Sequence, residues 1–192
     1  MTTITVAKKG GEVAIATDSL TTFGDTRLGR NYKGEHDKIL HLAGSWIGVC
    51  GSSAHHLVLA SALAKLEEVS FGSRLEVFET FRRLHPVLKE HTYLNPKEDD
   101  DDPYESSQIV AAIANDTGIY GVYSYREVFE FDRFWSIGSG RNFALGAMHA
   151  IYETTASAAE IASAGVAAGI EFDTASGGPI VVHTVKLKGD AS

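Results

Sequence analysis

The chain has 192 residues, 44% hydrophobic and 22% charged, which suits one well-buried domain over 1–192 and not two. No apolar run approaches the roughly 20 residues that span a bilayer, and Lys8 to Glu12 interrupt the opening too early for a signal peptide. A net charge of −8 argues against nucleic acid, and a lone cysteine, Cys50, allows no internal disulfide and fits the reducing cytoplasm.

Strands come first. Thr3 to Val6 and Glu12 to Thr17 are rich in β-branched residues and flank Lys8-Lys9-Gly10-Gly11, which predicts a β-hairpin. His36 to Leu42 and Trp46 to Cys50 predict a second pair around Gly44. Helical spacing follows from Ser53 through Leu57, Val58, Ala60, Leu63, Ala64 and Leu66. Leu75, Phe78, Phe81, Leu84 and Leu88 repeat it, with Pro86 expected to bend or end part of that helix.

Leu94 to Ser106 reads as a polar loop containing the acidic run Glu98 to Asp102. Like charges repel, so the run reads as solvated; it lacks the alternating ligands and glycine of a calcium loop. Strands return at Gln108 to Ala114, Ile119 to Tyr123 and Phe134 to Ile137, with Asn115 to Gly118 as a hairpin turn. Helices over about Asn142 to Tyr152 and Ala158 to Ile170 and a strand over Ile180 to Leu187 complete the order. Runs of strands and of helices, in place of alternation, imply antiparallel sheets with helices outside, a layered α+β sandwich.

The start Met-Thr-Thr carries chemistry as well as strand propensity. A hydroxyl is a weak nucleophile until a base takes its proton, and a chain-terminal amine can be that base. Its pKa of about 7.7 to 8.0 lies near working pH, so a threonine at the terminus supplies nucleophile and base together. The small residue after methionine favours removal of Met1, and retention would leave a non-basic amide. Alone, the same three residues also read as an ordinary protein start with two β-formers.

Several stretches together resemble proteasome β subunits and the bacterial HslV peptidase, which are N-terminal-nucleophile hydrolases. TTITVAKKGGEVAIATDS resembles the family's opening hairpin, with Thr2 as nucleophile and Asp18 closing the second strand. HDKILHL is similar to the segment with the buried lysine, here Lys38; GVCGS is similar to the stretch whose glycine amide, Gly51, forms the oxyanion hole. The same resemblance implies that Val49, with Thr22 and Gly51, shapes substrate binding. SIGSGRNFALG resembles the GSG turn carrying Ser139, and FDTASGG resembles the DxxSGG pattern, with Asp173 and Ser176 beside the nucleophile.

The resemblance implies a four-layer αββα sandwich, two sheets between helix pairs, and a threonine-type endopeptidase. Lys38 would lower the pKa of the amine and hydroxyl, Asp18 would keep that ammonium charged, and Ser139, Asp173 and Ser176 would orient the amine. One oxyanion amide contributes about 3 kcal/mol. No cofactor or metal is implied, and the eight histidines show no HExxH-type spacing. The implied assembly is a homo-oligomer of two stacked rings, roughly six or seven subunits each and more like seven, acting on peptide or unfolded protein. An ATP-driven unfoldase is a candidate partner.

Other readings stand beside these. Asp18 and Lys38 could be a surface ion pair, Gly138-Ser139-Gly140 could cradle a phosphate, and Cys50 could be a small buried hydrophobe. The insert-like RLGRNYKGEHD lengthens the path from Thr2 to Lys38 and makes Lys33 a competitor for the lysine role. The acidic loop with the DTASGG ending most resembles a proteasome-homologue subfamily of betaproteobacteria. Alternative functions are a catalytically silent ring subunit and a small-molecule amidase of the same superfamily.

Overall fold

A computed structural model describes residues 2–34, 38–96 and 102–189. Met1, the His36–Asp37 part of the expected strand and Glu98 to Asp101 of the acidic run lie outside the described residues.

The opening hairpin forms as expected, β1 over Thr3–Lys9 and β2 over Glu12–Thr17. Its alternation sets up two layers at once. Ile4, Val6, Val13 and Ile15 point into a core shared with the second sheet, where they meet Ala112, Ala114 and Ile119. Ala7, Ala14 and Ala16 point the other way, onto Met148, Ile161, Ala162 and Val166 of the later helices. Both faces of β1 are covered, so even Thr3 and Thr5 are fully buried, and Thr5 donates its hydroxyl to the Ala162 carbonyl at 2.8 Å.

After a short ribbon of β3 (Thr21–Phe23) and β4 (Thr26–Leu28) come β5 (Ile39–Leu42) and β6 (Ser45–Cys50). Helices α1 (Ala54–Leu63) and α2 (Arg74–Thr92) follow, then β7 (Val110–Asn115), β8 (Gly118–Val122), β9 (Val128–Phe131) and β10 (Phe134–Gly138). Helices α3 (Arg141–Ile151) and α4 (Ala158–Phe172) precede the last strand, β11 (Val181–Lys186). One antiparallel sheet runs β10-β1-β2-β11 and the other β5-β6-β7-β8-β9. Ile47, Val49, Ala111 and Ile113 of the second sheet pack on Leu59, Leu63, Phe81 and Leu84 of α1 and α2. The result is helices, sheet, sheet, helices: the αββα sandwich.

Two differences from the sequence reading have local causes. α2 runs through Pro86 to Thr92. Pro86 is exposed, so the carbonyl it leaves without a donor lies on the solvent side, while Val77, Phe81, Leu84 and Leu88 hold the opposite face. Strand β9 and the β3–β4 ribbon were not expected; β9 is an edge strand whose partner, β8, supplies its register from Ile119↔Phe131 to Val122↔Val128.

Candidate active site

Antiparallel pairing gathers the candidate residues at one end of the sandwich. Thr3 pairs with Gly138, and Ile4 with Thr17, so Thr2 projects beyond β1 beside Asp18 after β2 and Ser139 after β10. In the other sheet Ile39 pairs with Gly48, which sets Lys38 before β5 and Gly51 after β6 at adjoining strand ends. Asp173 ends α4, and Ser176 lies in the turn that leads to β11.

Thr2 is only 3% exposed and Asp18 is fully buried. The Asp18 carboxylate is held by five donors. Oδ1 accepts from Thr2 Oγ1 at 2.5 Å, the Thr3 amide at 3.0 Å and Lys38 Nζ at 2.7 Å; Oδ2 accepts from the Leu20 and Gly177 amides, each at 3.0 Å. Lys38 Nζ also donates to Thr2 Oγ1, and its side chain is 11% exposed. Burial pushes the Lys38 ammonium below the usual lysine range, Asp18 opposes that, and Lys33 adds a further downward push. Asp18 and Lys38 are therefore a buried, hydrogen-bonded pair and not a surface ion pair.

Lys33 occupies another place. Its Nζ donates to the Ser19 carbonyl at 2.7 Å and to Thr21 Oγ1 at 3.1 Å, behind the Asp18 turn. Of the two competing lysines, Lys38 is the one in contact with the Thr2 hydroxyl.

A second network holds the backbone side of Thr2. Ser139 and Ser176 each donate a hydroxyl to Asp173 Oδ2 at 2.7 Å, and Ser139 also reaches the Thr2 carbonyl at 3.4 Å. Ser176 is linked in turn to Thr3 Oγ1 at 2.7 Å, a partner the sequence reading missed because Thr3 read only as a strand former. Burial pushes the Asp173 carboxyl upward, but donation from Ser139, Ser176 and the Ala175 amide outweighs it and leaves the group below the ordinary range. Gly138 adopts φ +97°, and a β-carbon there would collide with the Thr2 carbonyl, so this close turn requires glycine.

Thr2 and Lys38 open onto a cavity of about 260 Å³ whose walls include Thr22, Val49, Cys50, Gly51 and His56. The expected substrate-facing residues Thr22, Val49 and Gly51 thus share one cavity, while Phe23, Ser53 and His56 are additions the motifs did not mark. Gly51 has φ +117°, a conformation that L side chains rarely adopt. Burial raises the Cys50 thiol to about 11, which suits a small hydrophobe better than a nucleophile. Among the described residues no group of three His, Cys, Asp or Glu side chains could hold a metal, and no helix is long and apolar enough to cross a membrane.

Comparison with solved structures finds this fold in BPH from Thiobacillus denitrificans, 38% identical, with a TM-score of 0.92 over 98% of this chain and 100% of that one. A structure of that protein in complex with epoxomicin matches at 37% identity and a TM-score of 0.90, over 96% and 98% of the two chains. The HslV of Trypanosoma brucei shares the fold at 20% identity and a TM-score of 0.67, over 96% of this chain and 99% of its own. No curated protein sequence matches. The family model for the proteasome subunit matches residues 1–185, nearly the whole chain, from β1 into β11. The chain belongs to the proteasome subunit family.

Proposed function

We propose that this chain is an active threonine endopeptidase, with Thr2 as nucleophile once Met1 is removed. The observation that carries the reading is the Lys38 ammonium donating to the Thr2 hydroxyl while paired with the buried Asp18. The epoxomicin complex of the Thiobacillus protein supports it.

The freed amine of Thr2 takes the proton from its own hydroxyl, and Oγ1 attacks the peptide carbonyl. Lys38 keeps positive charge beside the developing alkoxide and favours the neutral, basic amine. The Gly51 amide meets the oxyanion, and the Ser139–Asp173–Ser176 network holds the amine in line. The amine returns the proton to the leaving amine, giving an acyl ester on Thr2 that water then hydrolyses. All the groups are the chain's own, so the chemistry uses no cofactor or metal. Thr22, Val49 and Gly51 receive the substrate.

We place the enzyme in the cytoplasm, as a homo-oligomer of two stacked rings with roughly seven subunits each, closed symmetry sealing the sites in a chamber. Such a chamber takes peptides and unfolded chains, and an ATP-driven unfoldase would extend it to folded ones.

The test combines intact mass of the purified protein with hydrolysis of a fluorogenic peptide by wild type and Thr2→Ala. Loss of Met1, with hydrolysis that the variant lacks, is the expected result. Retained Met1 without hydrolysis would mark a silent ring subunit, and cleavage of simple acyl amides but not peptides would mark an amidase.

A further inference from the structure

We propose that Lys33 is a positioning residue of this site, a second cation that fixes the Asp18–Thr21 turn from behind and biases the charge state of the groups at Thr2. The inference rests on the reading of Thr2 as nucleophile.

The geometry comes first. Lys33 follows the 3-10 turn over Arg30–Tyr32, and its amide closes that turn on the Arg30 carbonyl at 3.2 Å. From there its side chain reaches the Ser19 carbonyl and Thr21 Oγ1. These two residues flank Leu20, whose amide is one of the donors to Asp18 Oδ2. Ser19 is also tied to the far side of the site, its amide to the Gly177 carbonyl at 2.8 Å and its hydroxyl to the Pro179 carbonyl at 2.7 Å. Thr21 is part of the cavity wall. One ammonium thus braces the segment that orients Asp18 on one side and meets substrate on the other.

The electrostatics add a second effect. Both hydrogen-bond acceptors of Lys33 are neutral oxygens, so among the described residues its charge acts through space. It is felt at Lys38, where it opposes the charged form, and Asp18 in turn favours the charged form of Lys33. Burial and Arg30 pull the Lys33 ammonium downward. Among the described residues, the charged or titratable groups around the Thr2–Lys38 pair include Asp18 after β2, Asp173 after α4, Cys50 on β6 and His56 on α1, with Lys33 and Arg30 behind the turn. Adding a cation to that set makes the neutral amine and the neutral lysine more favourable, so both pKa values fall.

The experiment is the pH profile of kcat/KM for peptide hydrolysis by the assembled protein, for wild type, Lys33→Met and Lys33→Arg, with melting temperature measured alongside. Lys33→Met should move both limbs of the profile up by about half a pH unit, while Lys33→Arg leaves them in place. A Lys33→Met profile that superimposes on wild type overturns the proposal, whatever the change in melting temperature, and so does an equal shift in Lys33→Arg. Epoxomicin treatment of wild type separates the two levels: failure to modify Thr2 removes the underlying reading, and this proposal with it, before any variant is made.

Discussion

Lys38 Nζ lies 2.7 Å from Asp18 Oδ1 and donates to Thr2 Oγ1, so one ammonium joins the nucleophile candidate to a fully buried carboxylate. Such a pair is costly to break, because the remaining charge stays buried. Lys38→Met should lower stability by about 3–5 kcal/mol, read from the denaturant midpoint at unchanged slope. It should also cut kcat/KM by about 10²–10³-fold or more. The double variant with Asp18→Asn should recover neither stability nor activity, because the Asn amide nitrogen would face backbone donors, at Thr3 or at Leu20 and Gly177.

Gly51 stands where φ is +117°, and a β-carbon there would lie 3.1 Å from Nδ1 of His55. Gly51→Ala therefore strains the turn by about 1–3 kcal/mol and misdirects its amide. The expected outcome is a fall in kcat of about 10²-fold with KM little changed, measured by steady-state peptide hydrolysis.

Asp173 has its folded pKa below the reference value of 3.8, so the folded state binds the proton more weakly than the unfolded one. Its contribution to stability is complete above the unfolded pKa and is lost as pH falls through the lower folded value. Melting temperature measured from pH 6 down to about 2.5 should therefore fall more steeply in wild type than in Asp173→Asn. The variant should also lose about tenfold or more in kcat at neutral pH, because Ser139 and Ser176 lose a charged acceptor.

Cys50 borders the cavity, but its thiol, raised to about 11, is almost wholly protonated at pH 8. Iodoacetamide at that pH should label the native protein slowly and the denatured protein fast. Cys50→Ala should retain peptidase activity within about twofold, since one small, partly buried apolar side chain replaces another. Mass spectrometry of timed samples reads the first and peptide hydrolysis the second.

The parts of the molecule that could be read from sequence are those whose signal is local. The β1–β2 hairpin announces itself through β-branched runs around Gly10-Gly11, and the motifs sit at strand ends that the hairpin registers bring together. β9 was hidden because Glu130 interrupts its apolar residues and its pairing comes wholly from β8. The three-residue strands β3 and β4 have only each other. Lys38 is favoured over Lys33 in sequence by the DKI context that leads into an apolar strand, but local context says nothing of which ammonium reaches Thr2; the contacts at Ser19 and Thr2 distinguish them. The wall residues Phe23 and His56 come from different layers and share no spacing that could have linked them.

The most direct measurement is epoxomicin treatment of the assembled protein followed by peptide mapping. An adduct on Thr2 as the first residue of a chain lacking Met1 is the predicted result. An adduct on Cys50 or Ser139, or an unmodified Thr2 still joined to Met1, would contradict a mechanism in which the terminal threonine attacks the peptide bond.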